Sequence, residues 1–146
     1  SKRNPLRIIL DSTLRIPLTA KVLKDKNVFI ATTKRALRLK FKKLKKQGYH
    51  VKMFPYKNKR VDILSLLRYL GKKGITSILV EGGREVFDSF LKEQCVQEFY
   101  IFQSKKRFGR EGLDVVSDMR LFKNILNKGK LQKVGEDDFI SSKLVF

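Results

Sequence analysis

A short β-branched run that ends on a carboxylate and two glycines constrains this chain more than any other stretch. Thr76-Ser77-Ile78-Leu79-Val80-Glu81-Gly82-Gly83 leads directly into Arg84-Glu85-Val86-Phe87-Asp88-Ser89-Phe90-Leu91. The first half has the composition of a strand and the second the spacing of an amphipathic helix. Turns between a strand and a helix are places where ligands bind. Glycine lets backbone N–H groups approach a phosphate closely, and the first turn of a helix adds N–H groups and a partial positive charge. Glu81 falls at the carboxyl end of the strand, where open α/β sheets hold small molecules. A tight turn beside a surface glutamate explains the same residues, because a lone Gly-Gly turn is weakly specific.

The rest of the chain fits around that unit. Apolar runs predict strands over residues 6–10, 28–32, 50–54 and 77–80. Helices are expected over residues 34–47, 61–73 and 83–93, with Thr32 or Thr33 able to cap the first. Their inward faces are Leu37, Phe41 and Leu44, then Val61, Leu64, Leu67 and Leu70, then Val86, Phe87, Phe90 and Leu91. Residues 56–60 read as a basic loop and 104–118 as a long polar one. Residues 96–103, 129–134 and 139–146 read as strands, the last two joined by Gly135-Glu136-Asp137-Asp138, with a short helical turn at 121–126. The order βαβαβα followed by three β segments predicts an α/β fold. Its central sheet is mostly parallel, with antiparallel strands at the C-terminal end. The length, 146 residues, suits one domain spanning 1–146.

Composition narrows the partners. Lys and Arg number 34 against 14 Asp and Glu, a net charge of +20 that attracts polyanions and steers anionic ligands. Nucleic acid is one such partner and phosphorylated small molecules are another. The excess is mostly lysine spread along the chain, including Lys40, Lys42, Lys43, Lys45 and Lys46, whereas base readers concentrate arginine. Neither zinc-finger spacing nor an aromatic RNA-recognition signature nor a helix-turn-helix pair is present, so a nucleic-acid-binding module is the alternative rather than the first expectation. No apolar run approaches the ~20 residues that span a bilayer. Cys95 is the single cysteine, which excludes an intrachain disulfide framework and a multi-cysteine metal site. It reads as a small packed residue. With neither disulfides nor a signal-peptide pattern, the cytoplasm is the default location.

Three segments together resemble one family. They are Asn4-Pro5-Leu6-Arg7-Ile8-Ile9-Leu10-Asp11-Ser12 with Leu14-Arg15-Ile16-Pro17, then Val28-Phe29-Ile30-Ala31-Thr32-Thr33, then Ile78-Leu79-Val80-Glu81-Gly82-Gly83 with Phe90-Leu91 and Val96-Gln97-Glu98-Phe99-Tyr100. In this order they look like the pyrimidine reductase domain of riboflavin biosynthesis, whose fold is similar to dihydrofolate reductase. The resemblance implies reduction of 5-amino-6-(5-phosphoribosylamino)uracil to its ribitylamino form with NADPH. A relative without turnover is the other reading. The resemblance further implies a homodimer, and a deaminase domain ahead of the reductase in the parent chain. It puts Glu81 on the substrate, and it puts Ser12 with Gly83, Arg84, Glu85, Val86, Phe87, Asp88 and Ser89 on the cofactor. Thr33, Lys34 and Arg35 open a helix and could meet the 2′-phosphate of NADPH, although a solvated basic helix start explains them as well. Lys105 matches a family lysine, but its neighbour Ser104 departs from the pattern and no role is carried onto it. No hydride-transfer residue and no metal ligand is assigned. Family reductase domains begin with a further strand and helix, and none of those residues occurs before Asn4, so the domain is expected to lack them.

Overall fold

The computed structural model describes residues 4–106, 109 and 112–144. The chain divides into two compact units, Ser1–Thr76 and Ser77–Phe146.

The first unit is a parallel sheet between two helices. Strands β1 (Arg7–Leu10), β2 (Val28–Thr33) and β3 (His50–Phe54) lie in the order β1-β2-β3, both pairings parallel. Helix α1 (Arg38–Lys46) follows β2. A hairpin of β4 (Tyr56–Lys57) and β5 (Arg60–Val61) follows β3, then helix α2 (Ile63–Lys72). Side chains alternate across a strand, so β2 feeds two cores. Val28 and Ile30 pack with Leu14, Leu23, Leu44 and Val51 on the α1 side. Phe29 and Ala31 pack with Phe54, Val61, Leu66 and Leu70 on the α2 side. A ring cluster completes the second core: Phe29 stacks on Tyr69 at 5.5 Å and Phe54 meets Tyr69 edge-on at 5.6 Å.

Several expectations change here. The first helix starts at Arg38 rather than residue 34, and Leu37, its N-cap, is 70% exposed instead of inward. Thr33 accepts from the N–H of Arg35 and so closes the turn before the helix rather than capping α1. The basic loop at 56–60 is a hairpin, and Asn58 and Lys59 both have positive φ, as a two-residue type I′ turn requires. In α2 the buried residues are Ile63, Leu66 and Leu70, whereas Leu64 and Leu67 are half-buried. The apolar stripe is wider than one register, and packing selected its neighbour. Both helices stop as expected: Gly48 and Gly74, with φ +85° and +80°, donate to the carbonyls of Lys45 and Gly71.

The second unit holds helix α3 (Arg84–Lys92), strand β6 (Glu98–Gln103), helix α4 (Met119–Lys128) and strands β7 (Lys130–Val134) and β8 (Asp137–Lys143). The strands form an antiparallel sheet in the order β6-β8-β7. Phe87, Leu91, Phe99, Val116, Phe122 and Ile125 build its core. The expected short turn at 121–126 is a full helix because Asp118 caps it, accepting from the N–H groups of Arg120 and Leu121. The expected strand at 77–80 is absent. The segment belongs to no sheet, with Ile78 and Leu79 36% and 73% exposed. An apolar run becomes a strand only where a neighbour supplies hydrogen-bond partners, and no described strand pairs with it.

Gly129 joins α4 to β7 at φ −76°, an ordinary value for any residue, yet an added Cβ would lie 2.4 Å from Ile140 Cγ2. Gly129→Ala is expected to destabilise the protein by about 1–3 kcal/mol through overpacking, read as a lower urea midpoint.

Candidate functional site

In the first unit the carboxyl ends of β1 and β2 are tied by Ser12 and Thr33. The Thr33 hydroxyl donates to the Ser12 carbonyl at 2.7 Å, and the Ser12 hydroxyl accepts from the Val61 N–H at 3.1 Å. A hydroxyl has one proton and two lone pairs, so Ser12 keeps its proton for a further acceptor. Asp11 holds the following turn by accepting from the Ile16 N–H at 2.8 Å. Arg35 lies over the Tyr56 ring, its guanidinium carbon 5.4 Å from the centroid. Lys34 and Arg35 are exposed, whereas Thr33 is fully buried, its hydroxyl committed to Ser12.

In the second unit Glu81 is exposed and has no hydrogen-bond or ion-pair partner among the described residues. The two glycines after it differ. A Cβ on Gly82 would sit 3.1 Å from Val86 Cβ, so that glycine serves packing. A Cβ on Gly83 would meet nothing within 4 Å, and its φ of −90° makes no demand for glycine. Gly83 is the N-cap of α3 and no side chain caps the helix. Its carbonyl accepts from Val86 and Phe87 at 3.0 and 3.3 Å, and the positive end of the helix opens on the space above it. A bare backbone beside open space at a helix start fits a pyrophosphate.

The side chains beyond Gly83 are mostly engaged. Arg84 Nε donates to the Asp114 carbonyl at 2.7 Å. Asp88 accepts from the N–H and hydroxyl of Ser117 at 2.8 and 2.6 Å. Ser89 donates to the Glu85 carbonyl at 2.7 Å. Phe87 and Phe90 belong to the packed side, as helical spacing predicts, and Val86 covers Gly82. The strap of residues 114–117 onto α3 had no sequence signal, since its partners lie about thirty residues apart. Cys95 is partly buried, its thiol donating to the Phe90 carbonyl at 3.3 Å, and burial pushes its pKa up. No group of three or more metal-ligating side chains occurs among the described residues.

A sequence model of the RibD C-terminal domain matches residues 1–138. The chain belongs to the RibD C-terminal domain family. It is 34% identical over 122 residues to the riboflavin biosynthesis protein RibD of Chlamydia muridarum, covering 82% of this chain and 32% of that protein. It is 30% identical over 134 residues to the 2,5-diamino-6-ribosylamino-4(3H)-pyrimidinone 5′-phosphate reductase of Archaeoglobus fulgidus, covering 91% of this chain and 60% of that one. The solved structure of Acinetobacter baumannii RibD superimposes with a TM-score of 0.73 at 24% identity, over 95% of this chain and 37% of that one. The chain thus spans about a third of these RibD proteins. Its mixed parallel and antiparallel α/β fold is the dihydrofolate-reductase-like fold expected from the sequence.

Two predictions separate open positions from packed ones in this RibD C-terminal domain. Gly83→Ala is expected to hold stability within about 1 kcal/mol of the parent while weakening dinucleotide binding, whereas Gly82→Ala lowers stability, both read by urea unfolding beside a binding titration. Cys95 is expected to react with a disulfide reagent at pH 8 more slowly than a free cysteine peptide. Its rate should climb only above the ordinary thiol range, because the thiolate is the nucleophile and burial disfavours it.

Proposed function

We propose that this chain carries the NADPH-dependent reduction of 5-amino-6-(5-phosphoribosylamino)uracil in riboflavin biosynthesis. The observation that carries this reading is the uncapped start of α3 at Gly83, open on its outer side, within a member of the RibD C-terminal domain family. Backbone N–H groups at the α3 start would bind the pyrophosphate, and Ser12, which the family resemblance puts on the cofactor, has a proton left to donate. Arg84, Asp88 and Ser89 shape the helix start through their own internal bonds, so the contact of this segment falls to its backbone. Glu81, exposed and uncommitted, would accept hydrogen bonds from the amino groups or sugar hydroxyls of the substrate. Lys34 and Arg35 would face the 2′-phosphate and favour NADPH over NADH. When bound, the nicotinamide supplies the hydride that reduces carbon 1′ of the opened sugar, and the protein orients the two anionic ligands. A net charge of +20 raises the local concentration of both. No helix of the described residues is long and apolar enough to cross a membrane, and we take the protein to work in the cytoplasm as a homodimer.

The direct test is a fluorescence titration with NADPH and NADH at low and moderate salt. NADPH is expected to bind saturably, to persist in moderate salt and to bind more tightly than NADH. Charge-driven collection of anions would instead vanish with salt and ignore the 2′-phosphate. Turnover of the uracil substrate, compared with the diaminopyrimidinone named for the archaeal relative, then fixes the pyrimidine. Glu81→Gln is expected to raise KM for the pyrimidine with NADPH affinity unchanged.

A further inference from the structure

The positive charge is not shared evenly between the two units. Residues 1–76 hold 22 Lys and Arg against 3 Asp and Glu, whereas residues 77–146 hold 12 against 11. The first unit therefore carries +19 of the total and the second +1. A uniformly lysine-rich composition would charge both alike. The three acids of the first unit are committed elsewhere: Asp25 pairs with Arg7, Asp11 accepts from the Ile16 N–H and Asp62 accepts from the Ser65 hydroxyl.

Helix α1 concentrates that charge. Six of its nine residues are Lys or Arg and none is Asp or Glu. Arg38, Lys42, Lys43, Lys45 and Lys46 are exposed, and none has an acidic partner among the described residues. Arg38, Lys42 and Lys46 follow one another at four-residue spacing, which lines them along one side of the helix. Lysines in the last turn suit the helix dipole, but Arg38 and Lys40 in the first turn oppose it, so helix stability does not account for the pattern. Neither does the reductase chemistry. Helix α1 carries the chain from the carboxyl end of β2 back to the amino end of the parallel strand β3, so its last turn lies at the strand ends opposite Ser12 and Thr33.

We propose that this face of α1 binds the backbone of double-stranded DNA without regard to sequence. Spacing argues for a polyanion. Arg38 to Lys46 span roughly 12 Å of helix axis, a length over which a DNA duplex presents about seven phosphate charges. The aromatic rings argue for backbone contact rather than base stacking. Of the six rings in the first unit, Phe29 and Phe54 are buried. Phe41, Tyr49, Tyr56 and Tyr69 are half-buried, and each has a cation over the ring: Lys45, Lys26, Arg35 and Lys52. Single strands are held by bases stacked on open rings, and the first unit offers no uncovered one. An anionic membrane fits less well. An interfacial helix turns a continuous apolar face outward, whereas α1 packs Phe41 and Leu44 into the core and leaves only the separate leucines Leu37 and Leu39 outside. The inference does not rest on the reductase reading, and its test reads DNA binding rather than turnover.

The test is fluorescence anisotropy of the 146-residue chain with a fluorescein-labelled DNA duplex across a salt series. The duplex is expected to bind at about 50 mM salt, with log affinity falling by about 4–5 per unit of log salt, as five phosphate contacts require. Lys42→Gln combined with Lys46→Gln should make that slope shallower by about 2 and weaken binding by about 10-fold or more at low salt. Lys123→Gln combined with Lys128→Gln removes the same charge from exposed positions of α4 in the second unit and should leave the slope unchanged. Circular dichroism identifies any variant that fails to fold, and Lys46→Gln alone, with a slope change of about 1, then carries the test. No binding of the duplex at low salt, or an equal change of slope from both pairs, would overturn the assignment. So would tighter binding to single-stranded oligothymidylate, or to phosphatidylglycerol vesicles, than to the duplex.

Discussion

Every residue of β2 is buried, and both cores of the first unit hang on it. Val28 and Ile30 anchor the α1 side, while Phe29 and Ala31 anchor the α2 side. Such a strand has no solvent face, which is why it reads as a continuous apolar run rather than an alternating one. Two-sided burial also makes its register rigid, because a slip of one residue would exchange the two cores. That rigidity matters at its carboxyl end. Thr33, fully buried, fixes the Ser12 carbonyl, and Ser12 in turn receives the N–H of Val61 from the hairpin. Three strand ends are thereby held by two hydroxyls, one of which retains a proton to donate.

Helix α1 depends on the same strand. Lysines crowd its outer face, and like charges at helical spacing oppose the helix. Leu44, fully buried against the β2 core, offsets them; burial of one leucine contributes about 1.5–3 kcal/mol. The charge is thus tolerated for reasons of packing. Its effect at the surface is long-range attraction of anions, which the proposed binding of two phosphorylated ligands would use.

The second unit shows how two adjacent glycines divide their tasks. Gly82 is small because Val86 lies over it, and Gly83 is small with no protein atom to demand it. Gly83 lies at a helix start with no side-chain cap, and the proposed pyrophosphate contact falls there. The helix itself is braced by Asp88 and Arg84 gripping residues 114–117. The strap stiffens the helix start from a loop distant in sequence, which would serve the proposed anion contact.

Much of the fold was legible from residues 28–33, 84–92 and 98–103, where spacing alone separates strand from helix and local sterics set the answer. The glycine stops after α1 and α2 and the Gly135 hairpin were equally local, while the family resemblance rested on three segments spread along the chain. The amino-acid sequence thus determined most of the element types, the basic surface and the glycine turn that leads into α3. Tertiary structure decided how those residues are placed and what they touch. It left Ile78-Leu79-Val80 outside any sheet because pairing requires a partner, exposed Leu37 because α1 begins after it, and chose Ile63 and Leu66 over Leu64 and Leu67. It also distinguished Gly83 from Gly82 and tied Ser12 to Val61. Each of these depends on atoms far apart in the chain, and periodicity carries no information about what will stand across from a residue once the chain has folded.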